Sequence, residues 1–174
     1  MFGLFKNKAA TQGNQQTPPS ETQANTPTAP GTEIHYSPTL IDELKGDHQQ
    51  LLAAYMSIKA SFDQGNYAAV SQQLNDFRFG LHSHLLTENV RLYIYVGSML
   101  SHDGQKAEMI RTFRHEMEGI GKTALRLLKK YEAINLDTEL ADPFARDFAA
   151  IGSILTDRIK KEESVLYPLY LSCQ

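Results

Sequence analysis

From residue 37 onward, apolar residues recur at alternating intervals of three and four positions. The first stripe consists of Ile41, Leu44, His48, Leu51, Tyr55, Ile58 and Phe62. Similar stripes run from Val70 to Glu88, from Phe113 to Tyr131 and from Phe144 to Leu166. Residues at this spacing lie on one face of a helix, so the pattern predicts four amphipathic helices, each with one buried side.

Residue pairs typical of helix ends separate the four stripes. They are Ser37-Pro38, Gly65-Asn66, Asp103-Gly104 and Asp142-Pro143. A capping side chain followed by proline favours a helix start, and glycine favours a helix end. Long helices with short connections predict an all-α fold, an up-down-up-down antiparallel four-helix bundle over residues 37–174.

The first 36 residues have a different composition, rich in Thr, Gln, Asn and Pro and poor in aliphatic side chains. Such a segment buries too little apolar surface to offset its ordering entropy, so we expect residues 1–36 to be a disordered N-terminal arm and linker. Its start, Met1–Lys6, places Phe2, Leu4 and Phe5 next to a lysine. This hexapeptide is either an anchor for an unknown protein partner or a membrane surface, or the ordinary start of a disordered chain.

Charge, hydropathy and cysteine content narrow the class of protein. The net charge of −3 and the lack of a basic stripe argue against nucleic-acid binding. No apolar run reaches the length of about 18 residues that a membrane span requires, so we expect no transmembrane segment. The single cysteine, Cys173, cannot form an internal disulfide, which fits a cytoplasmic location.

Ionisable residues interrupt the stripes near the middle of three helices. His48, His84, Glu88, Arg158 and Glu162 lie on the predicted buried face. Burying such groups without partners is costly, so we expect them to pair with one another or to bind a cation. Facing histidines and carboxylates are the usual way in which a bundle holds a metal ion, and this mixture of ligands suits iron, manganese or zinc.

The second and fourth helices carry a near-repeat over residues 81–93 and 155–167. The second helix has His84 followed by Glu88, and the fourth has Arg158 followed by Glu162. Because residues four apart lie one turn apart on the same helix face, both pairs project into the bundle. Each copy ends in Leu-Tyr, and we expect these tyrosines to pack in the core rather than to take part in chemistry.

These motifs resemble those of the hemerythrin-like, or HHE cation-binding, family. The similar segments are Asp47-His48-Gln49-Gln50-Leu51-Leu52, His84-x-x-x-Glu88 and residues 158–169. The resemblance covers about residues 38–171 and implies a bundle around a non-haem di-iron centre that binds oxygen, senses nitric oxide or redox state, or repairs iron sites. It also implies that His48, His84, Glu88 and Glu162 are metal ligands, with both glutamates in bridging positions.

Arg158 departs from the family pattern, which has a histidine at this position. A guanidinium stays protonated and has no lone pair to offer a metal. At ~5 Å from a divalent ion its repulsion is roughly 7 kcal/mol at an effective dielectric of about 20. We therefore expect the neighbouring iron to be lost unless Arg158 turns outward, so the predicted metal content is one ion, two ions or none.

The third helix supplies a second departure. His115 lies about 200° around the helix from Phe113, at ~100° per residue, and this phase places it in solvent. His115 becomes a metal ligand only if the register shifts or the helix bulges there. Glu116 flanks the core stripe and is expected to join a polar network instead.

Three functional interpretations follow from these residues. The favoured one is a metal protein that keeps at least one non-haem iron and binds or senses a small gas or redox ligand. The second is a metal-free regulatory or interaction bundle in which Arg158 replaces the cation. The third is an enzyme that reduces peroxide or nitric oxide or repairs iron sites, although no catalytic residue is assigned. A homodimer is compatible with all three.

Overall fold

A computed structural model describes residues 26–174 and shows a bundle of four long helices. The second and fourth long helices each contain a π-helical segment. In chain order the elements are α1 (Leu40–Asp63), α2 (Tyr67–Thr87), π1 (Glu88–Tyr93), α3 (Ile94–Met99), α4 (Gly104–Tyr131), α5 (Ala141–Lys161), π2 (Glu162–Leu166) and α6 (Tyr167–Leu171). The structure confirms the predicted all-α four-helix bundle.

Two side chains at the predicted helix boundaries cap the helices that follow them. The Asn66 side chain accepts a hydrogen bond from the Ala69 backbone N–H at the start of α2. The Asp103 carboxylate accepts one from the Lys106 backbone N–H at the start of α4. The first N–H groups of a helix have no partner within it, so these side chains stabilise both starts. Gly65 ends the preceding turn with a φ of 69°, a conformation that glycine adopts without strain.

The other two helix starts differ from the prediction by a few residues. Helix α1 begins at Leu40 with Thr39 as its N-cap, rather than at Ser37-Pro38. The Tyr170 hydroxyl accepts a hydrogen bond from the Ser37 N–H and donates one to the Ser37 carbonyl, so this contact from the last helix fixes the backbone before α1. Helix α5 begins at Ala141 with Leu140 as its N-cap, so Asp142 lies in the first turn of the helix rather than at the cap.

Residues 26–36 also differ from the disordered linker expected there. A single β-bridge joins Thr28 to His35, and the turn between them buries Ala29. The ring of Tyr36 stacks on that of Tyr170 with 5.0 Å between their centroids. These apolar contacts order the segment against the bundle. The predictions for the rest of the arm, including the Met1–Lys6 anchor, lie outside the described residues.

Two apolar clusters form the core, one towards each end of the bundle. Along α1, His48 lies between Leu44 of one cluster and Ile58 of the other. The buried polar residues of the second and fourth long helices occupy the same intermediate position, so a polar layer separates the two clusters. Within residues 26–174, none of the helices has the length and apolar character that a membrane span needs.

Candidate metal centre

Four of the residues singled out in the sequence converge inside the bundle. They are His48 from α1, His84 from α2, and Glu88 and Glu162 from the first positions of π1 and π2. One ligand atom from each lies within 4.8 Å of the others. All four side chains are buried, with at most 3% of their surface exposed. The polar layer expected from the helix stripes is therefore present as one compact cluster.

Two carboxylates outside the cluster orient the imidazoles. His48 Nδ1 lies 2.8 Å from Glu163 Oε1, and His84 Nδ1 lies 3.4 Å from Asp47 Oδ2. A carboxylate at Nδ1 favours a proton on that nitrogen, which turns Nε2 towards the interior as the atom available to a metal. Each carboxylate comes from a different long helix than the histidine it contacts, so the pairs also brace the bundle.

Sequence reasoning gave no role to Asp47 or Glu163, although both lie in the quoted motifs. Each is the immediate chain neighbour of a cluster residue, His48 or Glu162. Neighbouring helix positions point about 100° apart, so each carboxylate reaches around its own helix towards the next one. A signal for this role was available: an acidic residue directly beside a buried polar position on two helices.

The π segments explain a second feature that periodicity missed. In an α-helix at ~100° per residue, the residue five positions after a glutamate points about 140° away from it. A π segment makes i→i+5 bonds, and this wider turn brings the fifth residue back towards the same face. Tyr93 follows Glu88 by five positions and Tyr167 follows Glu162 by five, and both tyrosines are buried.

These two tyrosines contact the polar cluster rather than only packing, as the sequence had suggested. The Tyr167 hydroxyl donates to Glu88 Oε1 at 3.2 Å and lies 3.2 Å from His48 Nε2. The Tyr93 hydroxyl accepts from Arg158 Nη2 at 2.6 Å. Burial raises the pKa of both phenols, so each is protonated in the structure.

Arg158 points into the bundle and is only 2% exposed. Its Nε donates to Glu162 Oε1 at 2.6 Å, and its Nη2 also donates to the Phe113 carbonyl at 2.9 Å. The guanidinium carbon lies 4.6 Å from the centroid of the Phe113 ring. These bonds hold a permanent positive charge beside Glu162, in the position that the resemblance assigns to a ligand histidine. The outward rotation considered from the sequence does not occur.

Helix α4 contributes no ligand to the cluster. His115 is exposed and is not among the clustered residues, so the minor expectation that a register shift would bring it inward is wrong. Its solvent-facing phase agrees with regular α-helix through Gly104–Tyr131. Glu116 does join the polar network, because its Oε2 lies 3.3 Å from Arg158 Nη1.

Burial and mutual repulsion determine the protonation of the cluster. Burial raises the pKa of Glu88 well above its usual range, and the nearby Glu162 charge raises it further. Burial lowers the pKa of His84, helped by the charge of His48. For His48, burial acts in the lowering direction, but hydrogen bonds to Glu162 and Glu163 outweigh it and raise the pKa. Without an added cation, both shifts favour the uncharged forms of Glu88 and His84.

The donor set fits a divalent ion. Two imidazole nitrogens and two carboxylates are suitable ligands for iron, manganese or zinc. Ligands on opposite sides of one ion are about 4.2 Å apart, twice a typical bond of about 2.1 Å, so small rotations would close a set lying within 4.8 Å. Glu88 Oε2 is buried without a hydrogen-bond partner and lies 3.9 Å from His84 Nε2. An ion between these atoms would satisfy both.

Comparison with known protein families identifies the family of this chain. Residues 39–170 match the model of the hemerythrin HHE cation-binding domain, which is most of the chain. The chain belongs to the hemerythrin HHE family. The comparisons with curated proteins and with solved structures found no match.

The hemerythrin HHE domain is a cation-binding domain, and the buried cluster of this chain is a group of residues that could hold a metal ion. On one side of the site, Arg158 stands at the position for which the family resemblance implies a ligand histidine. The two sides of the centre are therefore chemically different. On the first side, the His84 imidazole faces an unpartnered carboxylate oxygen of Glu88. On the second side, the Arg158 guanidinium is bonded to the Glu162 carboxylate.

A small cavity lies beside the centre. Apolar side chains, among them Leu51, Leu81 and Leu155, line its walls, and His84, Arg158 and Glu162 lie at its polar end. The volume open to the centre of a water molecule is about 30 Å³. One water needs roughly 10–15 Å³ by this measure, so the cavity accepts a molecule of two or three heavy atoms.

Proposed function

We propose that this protein holds one non-haem iron ion between His48, His84, Glu88 and Glu162, and that it binds a small uncharged molecule there as a sensor. Glu88 Oε2 carries the proposal: it is a buried carboxylate oxygen with no hydrogen-bond partner, close to an imidazole nitrogen. An orphaned buried acceptor of this kind costs about 1–3 kcal/mol, and a cation removes that cost.

The charge of Arg158 limits the number of ions that the centre can hold. Its guanidinium is bonded to Glu162 Oε1, the oxygen that would otherwise be free to bind a second ion. A second divalent ion next to this fixed charge would meet a repulsion of several kcal/mol. The charge of Arg158, paired with Glu162, takes the place of the missing ion, so we infer a mononuclear site.

The residues around the ion orient its ligands. Glu163 and Asp47 hold the two imidazoles with Nε2 inward, and Tyr167 holds Glu88 Oε1 so that Oε2 remains available. Bound iron would supply a Lewis-acidic position for a small ligand, since four protein donors leave part of its usual coordination open. The chain itself supplies the dry surroundings.

The cavity supports a small, uncharged ligand such as oxygen or nitric oxide. Most of its walls are apolar and would not replace the hydration of a charged molecule, apart from the polar end at His84, Arg158 and Glu162. The volume open to the centre of a water molecule, about 30 Å³, suits a ligand of two or three heavy atoms. Gly152 lies in the wall, and a methyl group at that position would overlap the ring of Tyr55. This close approach lets Tyr55 form part of the cavity wall.

Metal quantification on the full chain, purified without chelators and then loaded anaerobically with ferrous iron, tests the metal site. We expect about one iron per chain in the wild type and in the exposed-residue control His115→Ala. We expect a large loss of iron in His84→Ala, which removes an inward-facing ligand. A wild type that retains no iron would contradict the proposal.

The cavity has its own test. Leu155→Trp should fill it, whereas Ile154→Trp changes an exposed neighbour on the same helix that does not line it. In ferrous protein, we expect nitric oxide to bind more slowly in Leu155→Trp and at the wild-type rate in Ile154→Trp. Equal rates in all three proteins would refute this access route.

A second candidate function is the metal-free regulatory bundle. The buried ion pair between Arg158 Nε and Glu162 Oε1, at 2.6 Å, favours it because half of the centre already has its cation. The pKa shifts of Glu88 and His84 also favour neutral forms that need no ion. In this case the wild type would contain no metal after loading. A cytoplasmic location, a homodimer and a protein partner for the N-terminal arm stay predictions under either function.

A further inference from the structure

Tyr167 contacts more than one of the proposed ligand residues of the centre. Its ring is fully buried, and it stacks on the ring of His48 with 5.7 Å between centroids and an interplanar angle of 11°. Its hydroxyl oxygen lies 3.2 Å from His48 Nε2 and 3.2 Å from Glu88 Oε1, and both residues are proposed ligands. The π2 segment is what directs this side chain to the face of Glu162.

We propose that Tyr167 is a fifth protein ligand of the ion in its ferric state, bound through the phenolate oxygen. This inference rests on the proposed function, because it requires iron at the centre. It goes beyond the four residues whose donor atoms cluster, since a phenol oxygen joins them.

The distances support shared coordination. Two neighbouring ligands of one ion, each bonded at about 2.1 Å, are separated by about 3.0–3.4 Å at the angles of octahedral or tetrahedral sites. The phenol oxygen of Tyr167 is 3.2 Å from His48 Nε2, within that interval. An ion bound to His48 Nε2 and Glu88 is therefore next to the phenol oxygen without a rearrangement of the helix.

Charge explains why the ferric state would recruit the phenol. Beside a ferrous ion, the phenol remains a hydrogen-bond donor to Glu88. Glu162 is already paired with Arg158, so oxidation to the ferric state adds a positive charge that this buried site leaves uncompensated, which is costly. When Tyr167 binds, its O–H bond breaks, an iron–oxygen bond forms and one proton leaves to solvent. The electron leaves the iron to an added oxidant, ferricyanide in the test below.

Tyr93 provides a matched control. It occupies the equivalent position after Glu88 and is equally buried, but its hydroxyl accepts a hydrogen bond from Arg158 Nη2 at 2.6 Å. Its oxygen faces the guanidinium side of the centre. Tyr93→Phe therefore removes a hydroxyl of the same type without removing the proposed ligand.

The test is the visible absorption and resonance Raman spectrum of the full chain, loaded with ferrous iron and oxidised with ferricyanide. We expect a phenolate-to-iron charge-transfer band and tyrosinate Raman modes in the wild type and in Tyr93→Phe, and their complete loss in Tyr167→Phe. Wild-type protein grown with ring-deuterated tyrosine should show shifted modes, which tests the assignment even if Tyr167→Phe folds poorly.

Two failures are distinguishable. A wild type that retains ferric iron but shows no tyrosinate modes, or a Tyr167→Phe variant that keeps them, overturns the role of Tyr167 and leaves the metal site standing. A wild type that retains no iron overturns the proposed function and this inference together.

Discussion

The histidine side and the arginine side of the centre are two versions of one helical motif. Both place a glutamate four residues after the first polar residue, and both begin a π segment at that glutamate and bury a tyrosine five residues later. His84 and Glu88 leave a carboxylate oxygen without a partner, whereas Arg158 and Glu162 form a complete ion pair. The arginine side thus contains its own cation, whereas the histidine side has an unpartnered oxygen that a cation could bind.

Removing the positive charge of Arg158 should have the largest effect on the stability of the metal-free protein. In protein kept metal-free with a chelator, we expect Arg158→Ala to lower the free energy of unfolding by about 3–5 kcal/mol, because Glu162 is left buried and unpaired. Urea denaturation measures the change. Arg111→Ala is the control: Arg111 forms an exposed pair with Glu108, so its loss should cost less than about 1 kcal/mol. Similar values for both variants would show that the buried pair does not stabilise the fold.

Neutralising each glutamate in turn compares the two sides directly. Glu162→Gln should destabilise the metal-free protein by about 3 kcal/mol, because Arg158 loses its buried partner. Glu88→Gln should not, because burial already raises the pKa of Glu88 and keeps it protonated. Equal losses in the two variants would argue against the proposed asymmetry.

The Glu88 variant also predicts a pH dependence. The folded carboxyl keeps a proton that the unfolded chain releases above its pKa of about 4.5, so wild-type metal-free stability falls as pH rises beyond that value. The slope reaches up to about 1.4 kcal/mol per pH unit. Glu88→Gln should lack this contribution, so its advantage over the wild type should grow with pH in urea titrations. A constant difference would mean that Glu88 is ionised in the fold.

Smaller effects are expected from the carboxylates that orient the imidazoles. Glu163→Gln and Asp47→Asn should weaken metal affinity by about 10–100-fold, the usual effect of losing such a partner. Glu163 should matter more, because it lies 2.8 Å from its histidine and Asp47 lies 3.4 Å from its own. Competition with a metal-binding dye measures the affinity, and Glu43→Gln, an exposed carboxylate paired with Arg91, is the control. Unchanged affinity in Glu163→Gln would exclude this orienting role.

The helix stripes were sufficient to predict the bundle and the buried polar residues. Each stripe spans many turns, so small errors of phase do not change which face is buried. The same reasoning placed His115 in solvent, where it lies. His48, His84, Glu88 and Glu162 could be predicted to meet because burial of each one alone is costly.

The π segments could not be predicted from a fixed angle of ~100° per residue. Their sign in the sequence is a pair of consecutive core residues after each glutamate: Leu92 with Tyr93, and Leu166 with Tyr167. Residues 26–36 are ordered by contacts with distant parts of the chain, such as the stacking of Tyr36 on Tyr170. Local composition could not predict these contacts. Helix α1 begins late for the same reason.

The central claim is that Arg158 takes the place of one metal ion. The most direct measurement is the iron content of the wild type and of Arg158→His, loaded under identical anaerobic conditions, with the exposed substitution Arg126→His as the control. We predict about one iron per chain in the wild type and in the control, and about two in Arg158→His. Two ions in the wild type, or no gain in Arg158→His, would contradict the claim.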